Sequence, residues 1–254
     1  MPTGSRGRRA AVRSSLPISR AVLVTGGSRG IGRAICLEFA RAGWQVGVHY
    51  RERHLEAERT AQLVKEHGGE GMSYQADIQD WPQVQSMLKQ FIARCGRLDA
   101  MICNAGQAAS GLVLRIRPEE WSSLIAVNLT GTFHCLKAAG QRMLAQRDGS
   151  VVVVASFAGL QGRPGQAAYA ASKAGLLGLV RSAAREWGRY NVRVNAVLPG
   201  WHQTELAATA MPGKLDDHVL ARPTDLDAVA RTVFHLALLP DTSGQIWNVD
   251  SRIV

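Results

Sequence analysis

The sequence predicts a doubly wound α/β fold, one parallel sheet of about seven strands with helices on both faces. Three observations predict it. Short apolar runs alternate with longer segments of helical period, which implies parallel strands joined by crossover helices. The first run breaks into a glycine-rich turn that opens directly into a helical stretch, the mark of a Rossmann-type sheet. The chain has 254 residues, with 46% hydrophobic and 20% charged, enough to fill one core of this class.

The elements follow in order. Residues 21–25 read as the first strand and 30–42 as the helix after the turn. Strands at 45–49 and 71–75 bracket a helix over 55–67, and a helix over 81–95 leads to the fourth strand, 98–103. One long helix over 118–146 precedes the fifth strand, 150–155, and another over 166–188 precedes the sixth, 192–198. The last helix covers 226–239 and the last strand 245–249. No repeat, low-complexity tract or linker divides residues 20–254, which read as one domain.

Residues 1–19 read differently. They are rich in Gly, Ser, Pro and Arg, and five arginines up to Arg20 meet no acid, so half of the formal net charge of +10 sits in this stretch. Such a segment buries too little apolar area to offset chain entropy and reads as a basic, disordered leader. It has no apolar stretch of secretory type, and no run in the chain approaches the ~18 residues of a membrane span. A cytoplasmic location is expected, with organellar import through the leader as the alternative. Cys36, Cys95, Cys103 and Cys135 are scattered without metal-ligand spacing, so reduced, buried thiols and no metal are expected.

The turn reads Thr25-Gly26-Gly27-Ser28-Arg29-Gly30-Ile31-Gly32. Glycines at 26, 30 and 32 permit a tight bend, close approach of backbone to a pyrophosphate and close helix–strand packing, while the helix start supplies free N–H groups. Residues 20–254 therefore form a dinucleotide-binding domain, with Gly26, Ser28, Arg29, Gly30, Ile31 and Gly32 against the cofactor. A ribose-binding acid is expected at the end of the second strand, and His49-Tyr50-Arg51 stands there instead. Arg51, with Arg29 across the turn, suits a 2′-phosphate and favours NADPH/NADP over NAD.

Tyr169 and Lys173, four residues apart, share one helix face, where an ammonium would draw the phenol pKa down from about 10 toward the working range. An isolated pair of this kind is often only an exposed surface. Here it follows a nucleotide turn and a strand leading to Ser156.

With these motifs in order, the chain from Arg20 onward resembles the short-chain dehydrogenase/reductases. Asn104-Ala105-Gly106, Asn128, Ser156 and Pro199-Gly200 complete the pattern. Residues 174–186 and 192–200 are most similar to the 3-oxoacyl-(acyl-carrier-protein) reductases. The resemblance implies Tyr169 as general acid and as a cofactor contact, Lys173 tuning it and binding the nicotinamide ribose, Ser156 polarising the carbonyl, and Asn128 holding a relay water. It further implies Asp77 and Ile78 at the adenine, Asn104, Ala105 and Gly106 at a ribose, and Pro199, Gly200 and Thr204 near the nicotinamide. Structural alternatives exist for three of them: Ser156 as a strand cap, Asn128 as a helix kink, Asp77 as an N-cap.

The chain departs from the resemblance at residues 201–222, which are short for substrate-covering helices, and at its end, which reads Asn248-Val249-Asp250-Ser251-Arg252-Ile253-Val254 where the family usually carries a glycine pair at a subunit interface. A homotetramer or dimer is expected through the long helices. The first functional expectation is NADPH-dependent reduction of a 3-oxoacyl thioester, carried by acyl carrier protein or CoA, with Arg147 and Arg189 as docking candidates. The alternative is another small ketone or alcohol, such as a polyol or sugar. A nucleotide-sensing module whose arginine leader contacts nucleic acid is disfavoured, because a sensor needs no proton donor.

Overall fold

A computed structural model describes residues 19–200 and 218–252. The chain runs β1 (Ala21–Val24), α1 (Gly30–Arg41), β2 (Gln45–Tyr50), α2 (His54–Glu66), β3 (Glu70–Gln75), α3 (Trp81–Cys95) and β4 (Ala100–Cys103). It continues through α4 (Pro118–Ile125), α5 (Thr132–Gln146), β5 (Gly149–Val154), α6 (Ala158–Gln161), α7 (Ala167–Trp187) and β6 (Val192–Pro199), and ends with α8 (Leu226–Leu238) and β7 (Ile246–Val249). All seven strands lie parallel in the order β3-β2-β1-β4-β5-β6-β7. The order reverses between β1 and β4, so a crevice for a ligand opens at the carboxyl ends of these two strands.

Strand periodicity sorts the core into two layers. Val22 and Val24 pack with Ile35, Phe39, Val64 and Val233 under α1, α2 and α8. Ala21 and Leu23 face the other way, toward Phe91, Leu136, Leu176 and Val180 of α3, α5 and α7. Both faces of β1 are therefore covered, and every residue of it is buried, as a central parallel strand requires.

The seven strands and five of the six expected helices match the sequence expectation to within two residues at each end. Two differences are physical. β4 begins at Ala100 because the Gln146 side chain takes both backbone groups of Leu98: Oε1 accepts from its N–H at 3.1 Å and Nε2 donates to its carbonyl at 2.8 Å. The expected single helix over 118–146 is broken by a π-helical turn, Ala126–Gly131, whose extra residue per turn separates α4 from α5. There the Thr132 hydroxyl donates to the Asn128 carbonyl at 2.7 Å, and Gly131 lies so close to Ile78 that a Cβ would come within 2.6 Å of its side chain.

Candidate active site

The glycine turn has the shape a dinucleotide requires. Gly26 and Gly30 sit at φ +65° and +53°, where side chains are strained. At Gly32 a Cβ would stand 2.1 Å from the Gly26 carbonyl oxygen, so helix α1 can close on the turn only through glycine. Arg29 precedes α1 in extended conformation without a side-chain cap, which leaves the helix N–H groups open to an anion. These residues fit a bound NAD(P) pyrophosphate.

Residues the sequence reading missed brace the turn from behind. Thr25 Oγ1 accepts from the N–H groups of Asn104 and Ala105 at 2.9 and 3.0 Å. The Ser28 carbonyl accepts from Arg33 at 2.5 Å and from the Thr60 hydroxyl at 3.1 Å. His49, 2% exposed, accepts the Gly26 N–H on Nδ1 at 3.0 Å, and its Nε2 lies 3.0 Å from the Ala76 carbonyl. The signal for His49 lay in the strand's alternation: Val46, Val48 and Tyr50 share one core layer, which turns a histidine into the other.

The expected cofactor residues fall around this turn with some changes of role. Asn104 spends its amide on the turn itself, donating to the carbonyls of Thr25 and Gly26 at 2.9 and 3.2 Å, so Ala105 and Gly106 present the backbone there. The Asp77 carboxylate accepts from the Gln79 N–H at 2.9 Å. Ile78 is buried against Gly131. Arg51 pairs with Glu52 at 2.7 Å on the surface, and Arg53 pairs with Glu56 at 3.2 Å. Burial and then the neighbouring Arg53 lower the Arg29 pKa, partly offset by Glu56, so Arg29 and Arg53 lie close together beside the turn. Thr204 lies outside the described residues, as does most of segment 201–222.

The four expected catalytic residues converge at the carboxyl ends of β4 and β5. Tyr169 and Ser156 share a side-chain hydrogen bond, and Ser156 Oγ also accepts from the Ala158 N–H at 3.2 Å. Lys173 is buried, donates to the Val154 carbonyl at 3.0 Å, and lies 5.7 Å from the centre of the Tyr169 ring. Gly106 fits between Asn128 and Lys173: a Cβ there would be 3.1 Å from Asn128 Oδ1 and 3.6 Å from Lys173 Nζ. Asn128 acts as a clamp. Its Oδ1 accepts from the Gln107 N–H at 2.8 Å, and its Nδ2 donates to the Gln107 carbonyl at 2.9 Å and to Ser172 Oγ at 3.0 Å. Ser172 in turn donates to the Tyr169 carbonyl at 2.7 Å, tying the π turn to the catalytic helix.

One expectation is corrected. Burial raises the Tyr169 pKa, with the Ser156 hydrogen bond opposing it, and burial pushes Lys173 down to about 8. Desolvation of the phenolate dominates, and the Lys173 ammonium is directed at the Val154 carbonyl. For His49, burial lowers the pKa to about 4, while unfolded imidazole titrates near 6.5. Between those values the unfolded chain binds the extra proton, so His49 stability is present above about pH 6.5 and is lost as pH falls toward 4, by about 3 kcal/mol. Denaturant titrations at pH 7 and 4.5 are expected to show this loss, and His49→Asn to flatten it.

The chain end, which departs from the family's usual glycine pair, holds a buried ionic cluster. The Asp250 carboxylate, with no exposed side-chain surface, accepts from Arg252 Nε at 2.8 Å and lies 3.3 Å from His218 Nδ1. Arg252 covers the Phe157 ring, 4.2 Å from its centre, and Asp250 abuts Gly200, where a Cβ would meet Oδ2 at 2.4 Å. Pro199 and Gly200 are thus fixed beside Ser156 and Phe157. Arg147 and Arg189 do not join the site: both stack on Tyr190, at 5.6 and 4.8 Å, and precede β5 and β6 at the amino-terminal edge of the sheet.

Comparisons agree with this geometry. The profile described as short chain dehydrogenase matches residues 20–214. The 3-oxoacyl-[acyl-carrier-protein] reductase FabG of Staphylococcus aureus (strain Mu50) is 37% identical over 207 residues, 82% of this chain and 84% of that protein. The 3-oxoacyl-[acyl-carrier-protein] reductase of Synechocystis sp. is 36% identical over 240 residues, 93% of this chain and 97% of its own. Among solved structures, levodione reductase superposes with a TM-score of 0.86 at 28% identity, covering 91% of this chain and 96% of that one. NAD+-bound xylitol dehydrogenase gives a TM-score of 0.86 at 27% identity over 93% and 100%. With the glycine turn, the Ser156–Tyr169 pair and Lys173 in one crevice, the chain belongs to the short-chain dehydrogenase family and is an NAD(P)-dependent oxidoreductase.

Proposed function

We propose that the protein reduces a 3-oxoacyl thioester to the 3-hydroxyacyl form with NADPH. The observation that carries the reduction is the hydrogen-bonded Ser156–Tyr169 pair above a buried Lys173, and the substrate class is supported by relatives named 3-oxoacyl-[acyl-carrier-protein] reductases at 36–37% identity. When bound in this crevice, a nicotinamide cofactor would supply the hydride for the carbonyl carbon. Ser156 and Tyr169 hold the carbonyl oxygen with two hydroxyl groups, and Tyr169 gives up its proton as that oxygen gains charge. A phenol kept protonated by burial suits this acid role. Lys173 then places positive charge beneath the phenolate that forms, and Asn128 keeps the Gln107 loop and Tyr169 in register.

Arg29 in the turn and Arg51, which stands after β2 where a ribose-binding acid is expected, support NADPH. Charge-assisted hydrogen bonds of ~1.5–3 kcal/mol make kcat/KM for NADPH exceed that for NADH by about tenfold or more. Arg29→Ala/Arg51→Ala is expected to collapse that ratio. Equal use of both cofactors by the parent refutes it. A second reading, oxidation or reduction of another small ketone or alcohol, is favoured by the superposition on levodione reductase and NAD+-bound xylitol dehydrogenase. NADPH consumption measured against acetoacetyl thioesters and a panel of sugar and cyclic ketones separates the two. Turnover of thioesters alone supports the first; turnover of ketones without thioesters establishes the second.

A carrier protein serving this crevice approaches the carboxyl edge of the sheet, where Leu112, Val113 and Leu114 are exposed beside Arg115. Trp121 and Phe133, both 42% exposed on α4 and α5, support assembly into a dimer or tetramer. The four buried free cysteines fit a reducing, cytoplasmic setting. Among the described residues no helix is long and apolar enough to cross a membrane.

A further inference from the structure

His49 stands between the ends of three strands. Its Nδ1 accepts the Gly26 N–H after β1, its Nε2 faces the Ala76 carbonyl after β3, and its own carbonyl accepts the Gly27 N–H at 2.9 Å. A backbone N–H can only donate and a carbonyl can only accept, so the ring proton must sit on Nε2 and the ring must be neutral. Burial agrees, since it lowers the pKa to about 4. Residue 49 thereby turns the first two N–H groups of the glycine turn inward, away from any ligand. The pyrophosphate is left to the groups that follow, at the start of α1. The second bond fixes the chain at Ala76, beside Asp77, so one imidazole sets the spacing between the phosphate end and the adenine end of the crevice.

We propose that His49 is a positioning residue for the dinucleotide, holding the Gly26 turn in its binding shape through the Nδ1 acceptor. The inference rests on the cofactor entering at this turn and is independent of which ketone is reduced. Because His49 touches only protein groups, its replacement changes cofactor affinity and leaves the proton-donating pair in place.

Two amide substitutions divide the ring's functions. Asparagine reaches the Nδ1 position and can still accept from Gly26; glutamine reaches the Nε2 position, keeps the bond to Ala76 and leaves the Gly26 N–H unpaired. Fluorescence titration of NADPH without substrate gives Kd, read beside Tm and the KM of the ketone. His49→Gln is expected to weaken NADPH about tenfold or more, and His49→Asn by less than about threefold, with similar Tm values and unchanged ketone KM. Equal affinity in both variants, or losses that track Tm alone, overturns the inference. If His49→Gln does not fold, nitrogen NMR of the parent decides. An unprotonated Nδ1 whose resonance shifts on adding NADPH supports the role; a protonated Nδ1, or no shift at saturation, overturns it.

Discussion

Tyr169→Phe is expected to lower kcat by about 10²–10⁴-fold, the range that a positioned proton donor contributes. The substitution removes one oxygen and no packing volume. Ser156 keeps its bond from the Ala158 N–H, and Ser172 still donates to the backbone of residue 169, so the helix and the turn stay as they are. Tm and the NADPH Kd should therefore remain at parent values, and the whole effect should appear in turnover. A variant retaining a tenth or more of the parent kcat would mean that the hydride acceptor is protonated from elsewhere, with Tyr169 only a wall of the crevice.

Asp250→Ala is expected to destabilise the fold by ~3–5 kcal/mol, because it strands a buried guanidinium and removes the partner of His218. Arg252 keeps only about a tenth of its side-chain surface exposed, so water cannot take over for the lost carboxylate. For a domain of this size the change corresponds to a fall in Tm of roughly 10 °C. The double variant Asp250→Ala/Arg252→Met should recover part of the loss, since the uncompensated charge leaves with the arginine while a flexible apolar chain still covers Phe157. Thermal unfolding of the two variants checks this; a double variant less stable than Asp250→Ala contradicts the pairing.

Much of the site is legible in the sequence. Gly26, Gly30 and Gly32 announce a turn because only glycine tolerates those angles and that contact, and the spacing of Tyr169 and Lys173 follows from helical geometry. These are local rules, and local rules are written in consecutive residues. The π turn at Asn128 was legible only as an alternative, a helix kink at that residue, since the letters on either side keep the helical period and the break arises from contacts with Gln107, Ser172 and Ile78, distant in sequence. The direction of the Tyr169 shift was misjudged for the same reason: spacing places an ammonium near a phenol but does not say how much water either has lost. The cluster of His218, Asp250 and Arg252 joins parts of the chain whose proximity only the closed sheet creates.

The seam between α4 and α5 bears on which length changes this protein can survive. Each residue in a helix advances the side chains by about 100°, so the surplus residue in Ala126–Gly131 sets the phase of everything beyond it. Upstream, that phase aims Asn128 at the Gln107 loop; downstream, it lays Cys135, Leu136, Ala139 and Met143 on the sheet. Removing one residue would heal the helix and swing one of these two faces into solvent. Catalysis and core are geared together at this point, so gaining or losing a single residue there is expected to cost both.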